Sequence, residues 1–332
     1  MLIVTGGAGF IGSNLVHELN AHGITDILVV DNVANTRKLA NLEGARYAGY
    51  MDKREFRRAV AENALGAGRV EAILHQGACS NTLEDDRGYM MDNNDQYTRE
   101  VLAFAIHADA PLVFASTAAV YGLSGPGHFT ETPENERPLN IYGESKLTFD
   151  NYFRDQLAQD RVPMTAVGLR YFNAYGPREQ HKGRMASVMH HFTQQMRQTG
   201  KVRLFAGTGG YGDGEQRRDF VYVRDLARLN MFFAQLGPYA PQAGAARKTY
   251  RGVVNAGTGV SRTFNAVARA LMTVHGETPI EYVAFPADLK GRYQHFTEAD
   301  LTGLRGLGCD LEFTALEAGI AEMFATMRAL GT

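Results

Sequence analysis

The chain has 332 residues, 45% of them hydrophobic and 21% charged, with a formal net charge of −2. This is ordinary globular composition, which excludes a disordered chain, and the near-neutral charge excludes the broad positive field that holds nucleic acid or an anionic membrane surface. No apolar run approaches the ~20 residues of a bilayer span, and the opening MLIVTGGAGF carries no basic leader region, so a protein of the cytoplasm is expected.

In chain order, Leu2–Thr5 is a continuous apolar run of strand length, as in a strand buried on both faces. It runs into Thr5-Gly6-Gly7-Ala8-Gly9-Phe10-Ile11-Gly12, and a helical segment follows over 11–22. Gly7, Gly9 and Gly12 satisfy G-x-G-x-x-G, while Gly6, Gly9 and Gly12 satisfy the wider G-x-x-G-x-x-G. A strand before it and a helix after it turn this common string into a dinucleotide-binding signal. The strand must turn sharply, backbone N–H groups must approach a pyrophosphate, and the helix must pack close. The second strand, 26–31, ends on Asp31 about twenty residues beyond the turn, where a ribose-binding carboxylate is expected. Alone, Asp31 favours NAD, because it would repel a 2′-phosphate. Arg37, Lys38 and Lys53 follow it and can compensate, so residue chemistry leaves NAD against NADP open.

Further strands are expected at 70–75, 112–116 and 164–170, with helices over 89–109 and 142–157. The alternation predicts an α/β fold, a Rossmann-type doubly wound parallel sheet. After about residue 171 glycine and proline break the pattern, and polar loops lengthen at 207–218 and 237–251. This reads as a smaller, interleaved C-terminal substrate lobe. The dinucleotide domain is placed at 1–170, with return segments near 220–225 and 250–257, and the substrate lobe at 171–332. Cys79 and Cys309 are the only cysteines, which fits a reducing compartment. No Cys/His group has ligand spacing and His190-His191 reads as a helix surface, so no metal is expected.

Tyr142-Gly143-Glu144-Ser145-Lys146 is a Y-x-x-x-K on the expected 142–157 helix, with both side chains on one face. A phenol near pKa ~10 is a poor base at neutral pH. An ammonium one turn away and a positive nicotinamide ring are expected to lower that value. Ser116-Thr117 end the fourth strand, at the carboxyl edge where ligands sit in such sheets; a hydroxyl there can relay the proton of a sugar alcohol. Glycine turn, strand-end hydroxyl and Y-x-x-x-K in this order resemble the extended branch of the short-chain dehydrogenase/reductase superfamily.

Further strings narrow the likeness: Asp31-Asn32, His75-Gln76-Gly77-Ala78-Cys79, Tyr89-Met90-Met91-Asp92-Asn93-Asn94, Arg170-Tyr171-Phe172-Asn173 and Tyr175-Gly176-Pro177-Arg178-Glu179. His181-Lys182-Gly183, Arg218-Asp219-Phe220-Val221-Tyr222-Val223 and Leu289-Lys290-Gly291-Arg292-Tyr293-Gln294 complete the set. Together, over nearly the whole chain, they resemble the ADP-L-glycero-D-manno-heptose 6-epimerase family. The resemblance implies a tightly held NADP, with NAD as the alternative. Around its nucleotide half it places Phe10, Ile11, Asp31, Asn32, Lys38 and Lys53; against the rest it places Gln76, Gly77, Ala78, Cys79, Asn93, Lys146, Ala174 and Lys182. Tyr142 and Lys182 are then the two acid/base residues, assisted by Lys146 and Thr117. Asn173, His191, Phe205, Ala206, Gly207, Thr208, Arg218 and Tyr293 become contacts to an ADP-heptose substrate. Arg184 stands where the family often carries a smaller polar residue that touches substrate. The resemblance also implies a homo-oligomer, a pentamer, serving lipopolysaccharide core synthesis.

The chemistry fits these residues. Inverting an unactivated C–H centre directly would require removal of a very weakly acidic proton. Transient oxidation at the exocyclic C6″ and re-reduction on the opposite face, reached by rotation about C5″–C6″, avoids that. Two bases would serve the two orientations. Arg218, and with it Arg178, is expected to clamp the diphosphate through a planar guanidinium fork. A 4,6-dehydratase would need proton-transferring side chains after Thr117, where Ala118 and Ala119 stand. A UDP-sugar 4-epimerase is the nearest rival. A catalytically silent NADP-binding regulator would have no need of Thr117, Tyr142 and Lys146.

Overall fold

The computed structural model describes residues 1–331 apart from 33, 35 and 287–292. Among these the strands are β1 (Leu2–Thr5), β2 (Ile27–Asp31), β3 (Gly49–Asp52), β4 (Ala72–His75), β5 (Leu112–Thr117), β6 (Ala166–Tyr171), β7 (Asn173–Tyr175), β8 (Val202–Phe205), β9 (Arg217–Tyr222), β10 (Arg251–Ala256), β11 (Ser261–Thr263) and β12 (Ile280–Val283). The helices are α1 (Phe10–Ala21), α2 (Lys53–Ala61), α3 (Arg87–Met91), α4 (Tyr97–His107), α5 (Ile141–Ala158), α6 (Val188–Thr199), α7 (Val223–Ala234), α8 (Phe264–His275), α9 (Thr302–Gly306) and α10 (Leu316–Ala329).

Seven strands form one sheet in the order β3-β2-β1-β4-β5-β6-β10. Every ladder in it is parallel; Leu2, for example, lies opposite both Ile27 and Ala72. This is the Rossmann-type sheet. Its central strands are continuous apolar runs because both faces are covered. Leu2, Val4, Val29 and Leu74 join one core with Leu15 and Leu19 of α1 and Leu226 and Leu229 of α7. Ile3, Leu28, Val30 and Ile73 point the other way, into a core with Phe56 of α2, Val101 of α4 and Phe149 and Phe153 of α5. The strand period of two thus divides one apolar run between two layers.

Strand β3 has only half-buried residues, so it lacks the apolar run that revealed its neighbours. The expected helix over 89–109 starts earlier, at Arg87, and carries a π turn at Asp92–Gln96 between α3 and α4. Past residue 171, β11-β9-β7 form a three-stranded sheet and β12-β8 a parallel pair. A third core of α6, α8 and α10 side chains fills the space beside them. Strand β9 lies in the small sheet, and α7 after it packs on α1 against the large one. Among the described residues no helix is long and apolar enough to cross a membrane.

Candidate active site

The carboxyl ends of the parallel strands open into a cleft of about 1470 Å³, larger than the ~300–1,000 Å³ that a single small ligand occupies. One end is built by the glycine turn. Gly6 has a φ of 62°, and a Cβ there would lie 2.7 Å from the Gln76 carbonyl carbon and the Gly77 nitrogen. A Cβ on Gly12 would overlap the Gly6 carbonyl oxygen. Helix α1 begins beyond Gly9 with no side-chain cap and no acidic residue in its first turn. Its leading N–H groups and positive end are left for an anion. The turn is pinned from beneath: the Thr5 hydroxyl lies 2.7 Å from His75 Nδ1 and accepts from the Gly77 N–H at 3.0 Å.

Asp31 is 5% exposed. It accepts hydrogen bonds from the Ala8 N–H (3.0 Å), the Asn32 N–H (2.7 Å) and Lys38 Nζ (3.1 Å). Lys53 Nζ donates to Asn93 Oδ1 at 2.6 Å, with Asn93 carried inward by the π turn. Asp31, Asn32, Lys38, Lys53, Gln76, Gly77, Ala78, Cys79 and Asn93 all line the cleft, as do Gly6, Gly9, Phe10, Ile11 and Gly12. Arg37 is exposed and off the lining. A cradle that a Cβ would fill, an uncapped helix start and two lysines at the far end fit a nicotinamide dinucleotide.

Helix α5 starts where the Asn140 side chain accepts the Gly143 N–H at 2.8 Å, which sets Tyr142 in the first turn beside β5. The Thr117 hydroxyl lies beside the Tyr142 phenol and accepts from the Ala119 N–H at 3.1 Å. Lys146, 4% exposed, donates from Nζ to the Ala115 carbonyl at 2.8 Å. The expected lowering of the phenol by the lysine does not appear. Burial holds the Tyr142 pKa above the usual value, opposed by the neighbouring Thr117 hydroxyl. Burial also pulls Lys146 down to about 8, with the Asp150 carboxylate opposing. Taking either group out of water disfavours its charged form, and here that outweighs the one-turn spacing.

Asn94, fully buried in the π turn, belongs to the string 89–94, but the resemblance gives it no role there. It accepts from the Cys79 N–H at 2.7 Å and donates to the Cys79 carbonyl and Ser145 Oγ at 3.0 and 2.9 Å. It thereby ties the loop after β4 to α5. Single π turns recur at functional sites, but this one has no signature in residue spacing.

Glu179 organises the next segment. Buried at 1% exposure, it accepts from the Gly176 N–H and from both the N–H and the hydroxyl of Ser187. Lys182 Nζ lies 3.4 Å from the same carboxylate and 4.6 Å from the centre of the Phe10 ring. His181 Nδ1 accepts from Asn41 Nδ2 at 2.9 Å, and the same amide reaches the Ala8 carbonyl. Burial lowers His181 to about 4. Lys182, Arg184 and Ala174 all line the cleft.

The other end of the cleft is lined by Asn173, His191, Phe205, Arg218 and Tyr293. Arg218 is 6% exposed, packs 4.8 Å from the Tyr293 ring centre, and pairs with no carboxylate among the described residues. Its charge faces the cleft with burial already opposing it. Ala206, Gly207 and Thr208 do not line the cleft. Their loop turns back on itself, with the Gly207 N–H on Asp213 Oδ1 (2.7 Å) and a bridge between Thr208 and Tyr211. Arg178 turns away as well, donating to Asn14 Oδ1 of α1 at 3.1 Å. In the string 289–294, Leu289, Lys290, Gly291 and Arg292 lie outside the described residues. Gln294 donates to the Gly122 carbonyl at 2.6 Å, a contact across 172 positions that local pattern could not announce. No three metal-ligand side chains come together among the described residues.

Comparison with known proteins follows the same lines. A model of the NAD dependent epimerase/dehydratase family matches residues 2–243. An ADP-L-glycero-D-manno-heptose-6-epimerase from Alkalilimnicola ehrlichii is 53% identical over 320 residues, 96% of this chain and 95% of its own length. The crystal structure of the Helicobacter pylori ADP-L-glycero-D-manno-heptose-6-epimerase is 29% identical with a TM-score of 0.80, covering 99% of this chain and 96% of that one. A Thermus thermophilus UDP-glucose 4-epimerase in complex with NAD is 27% identical with a TM-score of 0.72, covering 98% of both chains.

Proposed function

The chain belongs to the NAD dependent epimerase/dehydratase family, and from that premise we propose that it interconverts ADP-D-glycero-D-manno-heptose and ADP-L-glycero-D-manno-heptose. The observation that carries this reading is one cleft holding the adjacent Thr117 and Tyr142 hydroxyls at one point and, at another, the cation Arg218, which pairs with no carboxylate among the described residues. The first suits a sugar alcohol, the second a diphosphate. The 53% identity to a heptose epimerase over 96% of the chain supports the choice of sugar.

When bound, a nicotinamide dinucleotide accepts a hydride from C6″ and returns it. The chain's own residues manage the proton and the pose. Thr117 orients the C6″ hydroxyl and Tyr142 takes its proton. Lys182, on the segment braced by Glu179, serves the sugar in its rotated orientation. Arg218 holds the diphosphate through its donor fork, with Phe205 and Tyr293 offering aromatic faces to the nucleotide. Ala119 beside Thr117 cannot move a proton, so the site oxidises without expelling water.

NADP is the dinucleotide we assign. Asp31 already accepts three donors, one of them Lys38, so it has little left for ribose hydroxyls. Lys38 and Lys53 bring positive charge to the place a 2′-phosphate would take. In this reading residues 1–170, with return segments that include β10, hold the dinucleotide, and 171–332 hold the sugar nucleotide. The family resemblance carries the remainder: a cytoplasmic homo-oligomer, taken as a pentamer, that supplies heptose for lipopolysaccharide core.

The test is incubation of NADP-loaded protein with ADP-D-glycero-D-manno-heptose, followed by chromatographic separation of the 6″ epimers. Conversion to an equilibrium mixture supports the reading. A UDP-sugar 4-epimerase is the second reading, favoured by the 27% identity to the Thermus thermophilus enzyme. Conversion of UDP-galactose with ADP-heptose untouched would establish it instead.

A further inference from the structure

Beneath the cleft lies a charged cluster for which the proton and hydride steps above have no use. Asp150 is fully buried one helical turn beyond Lys146, so Tyr142, Lys146 and Asp150 form an i, i+4, i+8 stripe on α5. Three successive residues of β5 lie against that stripe. Thr117 lies beside the Tyr142 phenol, the Ala115 carbonyl takes Lys146 Nζ, and Ser116 Oγ donates to Asp150 Oδ2 at 2.9 Å. Arg170 of β6, also fully buried, donates to the same Oδ2 from Nε and an Nη at 3.0 and 2.9 Å. All three bonds fall on one oxygen. Asp150 Oδ1 has no hydrogen-bond partner among the described residues, although it is shut off from water.

A buried carboxylate oxygen without a donor is costly unless a nearby charge compensates it. We propose that Asp150 is a positioning residue for the redox step, holding Lys146 as an ammonium beside Tyr142 through the field of its unbonded Oδ1. The inference rests on the Tyr142–Lys146 reading of the site. Charged and titratable groups acting on Lys146 are Asp150 on α5, His75 of β4 and Cys79 on the loop after β4, with Tyr142 one turn back on the same helix. Asp150 supplies the carboxylate among them. Asp150 also faces Arg170. That cation is shared with Glu136 at 2.6 Å and with the Tyr121 hydroxyl at 3.1 Å, and Glu136 is further paired with Arg154. Arg170 therefore keeps a carboxylate when Asp150 loses its charge. Burial already draws Lys146 down to about 8 with Asp150 opposing, so an ammonium without that help would discharge at lower pH still.

The experiment needs no substrate. The chain has seven lysines, so lysine labelled at Cε with ¹³C gives few signals, and Lys146→Arg identifies the one wanted. Titration of that signal in the dinucleotide-loaded protein should show Asp150→Asn moving the Lys146 midpoint toward acid by about one pH unit or more. Glu136→Gln, which takes a carboxylate from Arg170 and not from Lys146, should leave it in place. A purely structural Asp150 would not separate the two variants. The alkaline limb of the kcat profile should move with the NMR midpoint. If Asp150→Asn alone fails to fold, the pair Asp150→Asn with Arg170→Met, which removes the buried cation as well, carries the same titration. An unmoved midpoint in a folded variant overturns the proposal. Absent heptose conversion with a moved midpoint overturns the function reading and leaves this one standing.

Discussion

Acidification should weaken this protein through His75 by an amount the structure allows to be worked out. His75 is 1% exposed and sits between two hydroxyls, Thr5 Oγ1 at 2.7 Å from Nδ1 and Thr98 Oγ1 at 3.2 Å from Nε2. Thr98 spends its own hydrogen on the Asn94 carbonyl at 2.7 Å. It must therefore accept from Nε2–H, which leaves Nδ1 bare to accept the Thr5 hydrogen. A neutral imidazole satisfies every group; a proton on Nδ1 meets the Thr5 hydroxyl donor. Burial and the Lys146 charge accordingly push the folded-state pKa to about 3, against about 6.5 in the unfolded chain.

The folded value is depressed, so the unfolded chain takes up the proton first as pH falls. The stability held by the neutral ring is complete above about pH 6.5 and drains toward pH 3 at about 1.4 kcal/mol per unit. Between about pH 7.5 and pH 5 this amounts to roughly 2 kcal/mol. Urea unfolding followed by circular dichroism at those two pH values measures it. His75→Gln is the reference, because its amide can accept from Thr5 and donate to Thr98 and cannot titrate. The variant should lose roughly 2 kcal/mol less than the wild type over that interval. Equal losses in the two proteins would refute both the tautomer and the burial argument.

Three further outcomes are expected. Tyr142→Phe keeps the ring's packing and removes the proton acceptor, so kcat for heptose epimerisation should fall by roughly 10²–10⁴ with KM little changed; steady-state kinetics will show the split. Arg218→Met should raise KM for the nucleotide sugar roughly ten- to a hundredfold and leave the thermal midpoint equal or higher, since no described carboxylate loses a partner. Gly12→Ala drives a methyl into the Gly6 carbonyl; it should cost about 1–3 kcal/mol in urea unfolding and weaken dinucleotide binding in a fluorescence titration.

Legibility in the sequence followed the range of the interactions. The glycine turn is a steric demand confined to residues 6–12, so residue types alone revealed it. The Tyr142–Lys146 spacing is a property of one helix, and the central strands declared themselves because burial on both faces leaves an unbroken apolar run. Other features depend on distant partners. Arg178 looked like a phosphate clamp beside the cleft, yet Asn14, 164 positions away, takes its guanidinium. Ala206, Gly207 and Thr208 follow Phe205, which lines the cleft, but their loop folds back on Tyr211 and Asp213.

What residue order determined by itself was the kind of machine: a parallel sheet with a pyrophosphate turn, a strand-end hydroxyl and a tyrosine–lysine helix face. Those are short-range constraints, written within a few residues of where they act. What tertiary structure alone decided was the protonation of the parts. The π turn carries Asn93 and Asn94 inward, α5 is buried against β5, and Arg170 meets Asp150 and Glu136 from another strand. Charge in a low-dielectric interior depends on everything packed around it, and that neighbourhood exists only once the chain has folded.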